Sequence, residues 1–186
     1  MIGKSISSDL LLVRGSIPLT DVRGGFLTRI IDSNDLDNVN FVLRSEDGLV
    51  YCGQLNIGTH QNRNNLLMMA LDYGLPIALC GDKDANITGL AVAPSNAPIP
   101  SLNCAFLKLQ DSRSGMIVRI VDRDQGAAVS YVLRADDGAR YCAKMWTNHE
   151  DYDNRNNLFM MALRTNMAVT VTGGQHHEVT AIAVGS

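Results

Sequence analysis

A ten-residue phrase occurs twice in this chain, and it constrains the fold more than any other feature. Asn62-Arg63-Asn64-Asn65-Leu66-Leu67-Met68-Met69-Ala70-Leu71 returns as Asn154-Arg155-Asn156-Asn157-Leu158-Phe159-Met160-Met161-Ala162-Leu163. The echo extends outward. Arg29-Ile30-Ile31-Asp32 matches Arg119-Ile120-Val121-Asp122, Phe41-Val42-Leu43-Arg44 matches Tyr131-Val132-Leu133-Arg134, and Tyr51-Cys52 matches Tyr141-Cys142. Phe41 and Tyr131 are 90 positions apart, whereas Asn62 and Asn154 are 92 apart, so copy two carries two extra residues after its Cys. Such a period is too long for a solenoid repeat and suits two small units. The chain is therefore expected to divide into a first unit at 1–93, a linker at 94–103 and a second unit at 104–186, with separate sheets. The linker holds three of the five prolines (Pro94, Pro98, Pro100), which stiffens it.

Within each copy the pattern alternates short β-branched runs with turns. Residues 26–31 and 116–121 read as strands, followed by hairpins at 40–52 and 130–142. Each hairpin closes on Asp-Gly (Asp47-Gly48, Asp137-Gly138), where Gly accepts positive φ without steric cost. A polar loop leads to the repeated phrase, where Asn64 or Asn65, and Asn156 or Asn157, are expected N-caps. The helices should stop near Gly74 and Asn166, and two more strands complete each copy (77–80 and 87–92; 169–172 and 179–184). Residues 10–19 and 105–109 are expected to lengthen the first strand. The order β-β-β-α-β-β predicts a mainly β protein with one helix per repeat, built as two tandem five-stranded OB-like barrels.

Charge narrows the function. The net charge is −3 and only 5% of residues are aromatic, which disfavours nucleic acid, whose phosphates call for a basic surface. No apolar run approaches a membrane span. Leu10-Leu11-Leu12-Val13 is too short for a convincing signal peptide. The four cysteines, Cys52, Cys80, Cys104 and Cys142, form no CxxC pair. If each unit holds one disulfide, the pairs are Cys52–Cys80 and Cys104–Cys142; four buried thiols are the alternative. Oxidised pairs would fit a secreted or extracellular protein, and reduced thiols a cytoplasmic one.

No phosphate loop, nucleophile triad or cofactor motif is recognisable, so neither catalysis nor a cofactor is expected. Glu150, Asp151 and Asp153 lack the spacing of a calcium loop, and His176-His177 is expected to be a solvated turn. Met68-Met69 and Met160-Met161 read as core filler. Two amide-rich clusters remain. Asn62 and Arg63, with Asn154 and Arg155, offer amides and a guanidinium for sugar hydroxyls or a carboxylate. The loop before the second cluster supplies Trp146 and Tyr152 as stacking surfaces. Trp146, Tyr152, Asn154 and Arg155 are thus the expected main site, with Asn62 and Arg63 as its weaker counterpart.

Five features resemble the B subunits of AB5 toxins, the subtilase-cytotoxin and pertussis-like groups above all. They are the Tyr-Cys that closes the third strand, the Asn-rich helix start, the Met-Ala-Leu helix, the short strands Ile77–Cys80 and Val169–Thr172, and the final Ile/Val-rich strand. The resemblance covers most of each copy. It implies a non-enzymatic, lectin-like protein whose partner is a cell-surface glycan, an acidic one in particular, and which forms a homo-oligomer. The tandem fusion departs from those single-unit subunits, so a five-chain ring is not implied. A nucleic-acid- or protein-binding OB module, or a ligand-free scaffold, are the competing readings.

Overall fold

A computed structural model describes residues 15–32, 38–123 and 127–185. Copy one contains β1 (Ile17–Pro18), β2 (Val22–Ile31), β3 (Val39–Ser45), β4 (Val50–Leu55), α1 (Gln61–Asp72), β5 (Ile77–Gly81) and β6 (Ile87–Val92). Copy two repeats this order as β7 (Leu107–Lys108), β8 (Ser112–Arg123), β9 (Ala128–Ala135), β10 (Arg140–Trp146), α2 (Tyr152–Thr165), β11 (Ala168–Gly173) and β12 (Val179–Val184). The protein is mainly β, as the alternating pattern predicts.

The Asp-Gly hairpins form as expected. Gly48 and Gly138 adopt φ of 83° and 85°, and the Asp47 and Asp137 carboxylates accept the backbone N–H of Leu49 and Ala139. Gly74 and Asn166, both at positive φ, end the helices where the sequence places the stops. The helix starts differ. α1 begins at Gln61 and α2 at Tyr152, and neither has a side-chain cap. Asn64, Asn65, Asn156 and Asn157 therefore lie inside the first two turns and are not N-caps. Residues 17–18 and 107–108 also depart from expectation. They form separate short strands parallel to β4 and β10, through Ile17–Tyr51 and Leu107–Tyr141; residues 10–14 lie outside the described residues.

Strands β2 and β8 each slip register at the same repeat position, between Leu27 and Arg29 and between Ile117 and Arg119. Such a bulge bends a strand and strengthens its twist, which lets one strand serve different neighbours along its length. β2 pairs with β3 and β5, and β8 with β9 and β11. Among the described residues a single parallel bridge links the far ends of the sheet within each copy, Gln54 with Asn86 and Lys144 with Glu178. The sheet curls toward closure and does not close.

The two copies do not keep separate sheets. β6 pairs antiparallel with the C-terminal end of β8, through Gly89–Arg123, Leu90–Asp122, Ala91–Val121 and Val92–Ile120. One sheet of twelve strands thus runs through both copies, and the expectation of two sheets is corrected. The extended strand end that β8 offers beyond β11 is an open ladder, and the last strand of copy one satisfies its backbone groups. Phe41, Leu66, Leu67, Tyr131, Phe159 and Leu163 anchor one apolar core under the helices. Tyr131 and Phe159 stack with ring centroids 3.8 Å apart.

Of the two expected disulfides, Cys104–Cys142 is present and Cys52–Cys80 is not; Cys52 and Cys80 are free thiols. The sheet order explains this. Cys52 lies on β4 and Cys80 on β5, with β3 and β2 between them. Cys142 instead reaches back to the segment just before β7, where copy one has no cysteine at the matching position (Arg14).

Candidate functional site

The repeated Asn-Arg phrase of copy one is a latch between the copies. Because α1 starts at Gln61, the second and third helical residues face the junction. Arg63 Nε donates to Asp122 Oδ1 at 3.0 Å, and Asn62 Nδ2 donates to Asp122 Oδ2 at 2.7 Å. Arg63 Nη1 donates to the carbonyl of Ile87 at 3.1 Å. The ion pair is buried, with side-chain exposures of 4% for Arg63 and 12% for Asp122. Asn156 on α2 extends the network: its Nδ2 donates to Asn62 Oδ1 at 2.9 Å, and its Oδ1 accepts the Tyr131 hydroxyl at 2.8 Å. Burial pushes the Tyr131 and Tyr152 hydroxyls well above the ordinary tyrosine range. Both stay neutral, and among the described residues Arg63 and Asp122 carry the charges of the network. Removing one member of such a pair strands the other in a poorly solvated place.

Above this latch a cleft of about 810 Å³ opens between the first turns of α1 and α2. His60, Gln61, Asn65, Arg123, Asp153 and Asn157 contribute polar groups to its walls. The first N–H groups of a helix have no partner inside it. With no side-chain cap on either helix, two helix N-termini with their partial positive charge converge on one cleft.

The residues expected to form one site fall in two places. Asn62, Arg63 and Tyr152 line the cleft, but the first two are committed to Asp122 and Tyr152 is buried, so it is no open stacking surface. Trp146 is 44% exposed and shares a hollow of about 430 Å³ with Lys144, His149 and Arg155. The Lys144 ammonium lies 4.7 Å from the Trp146 ring centroid, so a cation already occupies one face of that ring. Arg155 donates to Asp151 Oδ2 at 2.8 Å and to the Val179 carbonyl at 3.2 Å. Asn154 is exposed and lines neither space.

Sequence reasoning missed Asp122, Asn156, Gln61, Asn65, Asn157 and Arg123. Asp122 had a signal: it is an acid at the end of an apolar strand in a segment that occurs twice. The 59 positions between it and Arg63 hid the pairing. Among the described residues no group of three or more His, Cys, Asp or Glu side chains could hold a metal ion, and no helix is long and apolar enough to cross a membrane. No family model matches this chain, and no curated protein or solved structure matches it.

Proposed function

We propose that the chain is a non-enzymatic glycan-binding protein made of two OB-like units, and that an acidic sugar occupies the cleft between α1 and α2. The observation that carries this reading is the convergence of two uncapped helix N-termini on a cleft lined by amides. Backbone N–H groups at a helix start favour an anion such as a sugar carboxylate. The side chains of Gln61, Asn65 and Asn157 both donate and accept, which suits hydroxyls. Arg123 adds a positive charge, and its guanidinium can take a carboxylate in two hydrogen bonds. The OB-like description draws on the strand order in each copy and on the parallel bridge at which the shared sheet curls toward closure within each copy. A single-stranded nucleic acid fits the cleft less well. Base stacking needs open aromatic faces, and Tyr152, which lines this wall among the described residues, is buried.

The test is a glycan array that includes sialylated and uronate-bearing sugars, run beside a single-stranded oligonucleotide at moderate salt. Acidic glycans should bind. The doubly substituted Gln61→Ala, Asn157→Ala chain should lose that binding by about tenfold or more, the scale of one to two lost hydrogen bonds to a charged ligand. Glycan binding that survives this change and disappears with Trp146→Ala would move the site to the hollow on β10. Binding of the oligonucleotide alone would reject the reading.

A further inference from the structure

The junction between the copies uses one surface from each, and the repeat places a second example of each surface at the two ends of the molecule. Copy one contributes β6 and the start of α1. The corresponding residues of copy two, 92 positions on, are β12 and the start of α2. Copy two contributes the end of β8, with Asp122, and the middle of α2. The corresponding residues of copy one are the end of β2, with Asp32 90 positions earlier, and the middle of α1.

These outer surfaces are more exposed than the inner ones. Leu90, Ala91 and Val92 on β6 are fully buried, whereas on β12 Ile182 and Val184 are half-buried and Ala183 is exposed. Ile120, Val121 and Asp122 are buried, whereas Ile30 and Ile31 are half-buried and Asp32 is exposed. The helices show the largest contrast. Met160 is 7% exposed and Met68, its counterpart, is 52% exposed, although each methionine sulfur accepts the same contact from the asparagine four residues earlier.

The latch is also half-built at the free end. Arg155 donates to the carbonyl of Val179 as Arg63 donates to that of Ile87. The guanidinium therefore reaches the same strand carbonyl, and its acid is Asp151, the residue just before its own helix, in place of Asp122. Among the described residues β12 pairs in a ladder only with β11. Its sequence Thr180-Ala181-Ile182-Ala183-Val184 contains no charge and no proline, the devices that normally protect an edge strand from pairing.

We propose that the occupant of both surfaces is a second copy of this chain, joined head to tail. β12 of one protomer adds to the end of β2 of the next, setting Ile182 opposite Asp32, Ala183 opposite Ile31 and Val184 opposite Ile30. Arg155 then exchanges Asp151 for Asp32 of the neighbouring protomer, and Met68 is covered as Met160 is. The contact joins two different surfaces, so it propagates and closes into a ring where the rotation permits. Any closed ring holds an even number of units. Each new junction sets the start of α2 against α1 of the next protomer, reproducing the arrangement that forms the cleft between α1 and α2.

Two experiments test this. In the first, chains carrying Ala183→Cys and chains carrying Ile31→Cys are mixed under mild oxidation and mapped by mass spectrometry. Residues opposite each other in an antiparallel ladder lie within disulfide range, so a 31–183 linked peptide is expected from the mixture and from neither chain alone; its absence overturns the proposal. In the second, sedimentation compares the unaltered chain with Asp32→Arg and Arg155→Asp, with circular dichroism confirming that each remains folded. The unaltered chain is expected to form multimers. Each variant alone should associate on the order of 100-fold more weakly, the effect of breaking a desolvated charge pair, and mixing the two variants should restore association. A chain that stays single at every concentration, or a dimer indifferent to both charge reversals, overturns the proposal. The proposal stands apart from the sugar reading, because the α1–α2 cleft exists within a single chain and its binding can be measured on the Asp32→Arg variant.

Discussion

The inner junction and the outer ends of this molecule are made from nearly the same sequence, and they differ in what they touch. At the junction Arg63 is buried against Asp122. At the free end Arg155 has the same preceding Asn and the same strand carbonyl, but it pairs with the exposed acid just before its own helix. The difference teaches that the Asn-Arg-Asn-Asn phrase is a connector whose energetic value is set by its neighbour. A repeated polar motif therefore marks an interface between units before it marks a ligand site.

The largest expected effect breaks the comparison at its centre. Arg63→Ala should cost about 3–5 kcal/mol in urea unfolding, because it leaves Asp122 charged and buried. Arg155→Ala, measured in dilute single chains, should cost at most about 1 kcal/mol, since its ion pair with Asp151 is largely solvated. Equal losses would show that the two positions are not distinguished by the junction.

Next in size is the disulfide. Only copy two has one, and it closes a loop across a sequence separation of 38. Replacing Cys104 and Cys142 together by Ser should lower stability by about 2–4 kcal/mol. Differential alkylation of the unaltered folded chain should label Cys80 readily and Cys52 slowly, as Cys52 is fully buried. Labelling of Cys142 without reductant would contradict the pairing.

A smaller effect separates the tyrosine from its repeat partner. Tyr131→Phe removes the hydroxyl that donates to Asn156 and should cost about 1–3 kcal/mol, the penalty for stranding a buried polar group. Phe41→Tyr, the mirror change, places a hydroxyl at the repeat counterpart of Tyr131, where the half-buried Asn64 holds the position of Asn156, and should give no comparable gain in the single chain. Thermal unfolding of both variants reads the contrast.

Much of the fold was legible because its signals are local. Alternating β-branched runs, two Asp-Gly turns and the Gly74 and Asn166 stops are read from neighbouring residues. The helix starts were not legible because an Asn-Arg-Asn-Asn run looks like a cap, whereas the chain begins each helix earlier and Asn62 and Asn156 turn their amides to each other across the junction. The β6–β8 pairing was not legible, since no local feature tells an edge strand which partner will meet it. The site suffered for the same reason. Trp146 and Arg155 do come together, as the loop composition suggested, but the main cleft is made by two helix ends far apart in sequence, and Asp122 was invisible as a partner of Arg63.

The smallest expected effect is a pH dependence. Burial pushes the Cys52 thiol up from 9.0 to about 11. A group with a raised folded-state value contributes its full stability below the unfolded value and loses it as pH rises to the folded one. Stability should therefore fall between pH 9 and about 11, and Cys52→Ala should flatten that part of the profile in urea titrations. A profile unchanged by Cys52→Ala would show that the thiol is not protected.

Backbone hydrogen exchange across a dilution series tests the central claim most directly, because β6 and β12 are the same strand in two settings. The amides of β6 should exchange slowly at every concentration. Those of β12 that face away from β11 should exchange fast in dilute solution, slow to the β6 level as concentration rises, and remain fast throughout in Asp32→Arg. If β12 exchanges fast at all concentrations, or slows equally in Asp32→Arg, the outer edges are not copies of the inner junction.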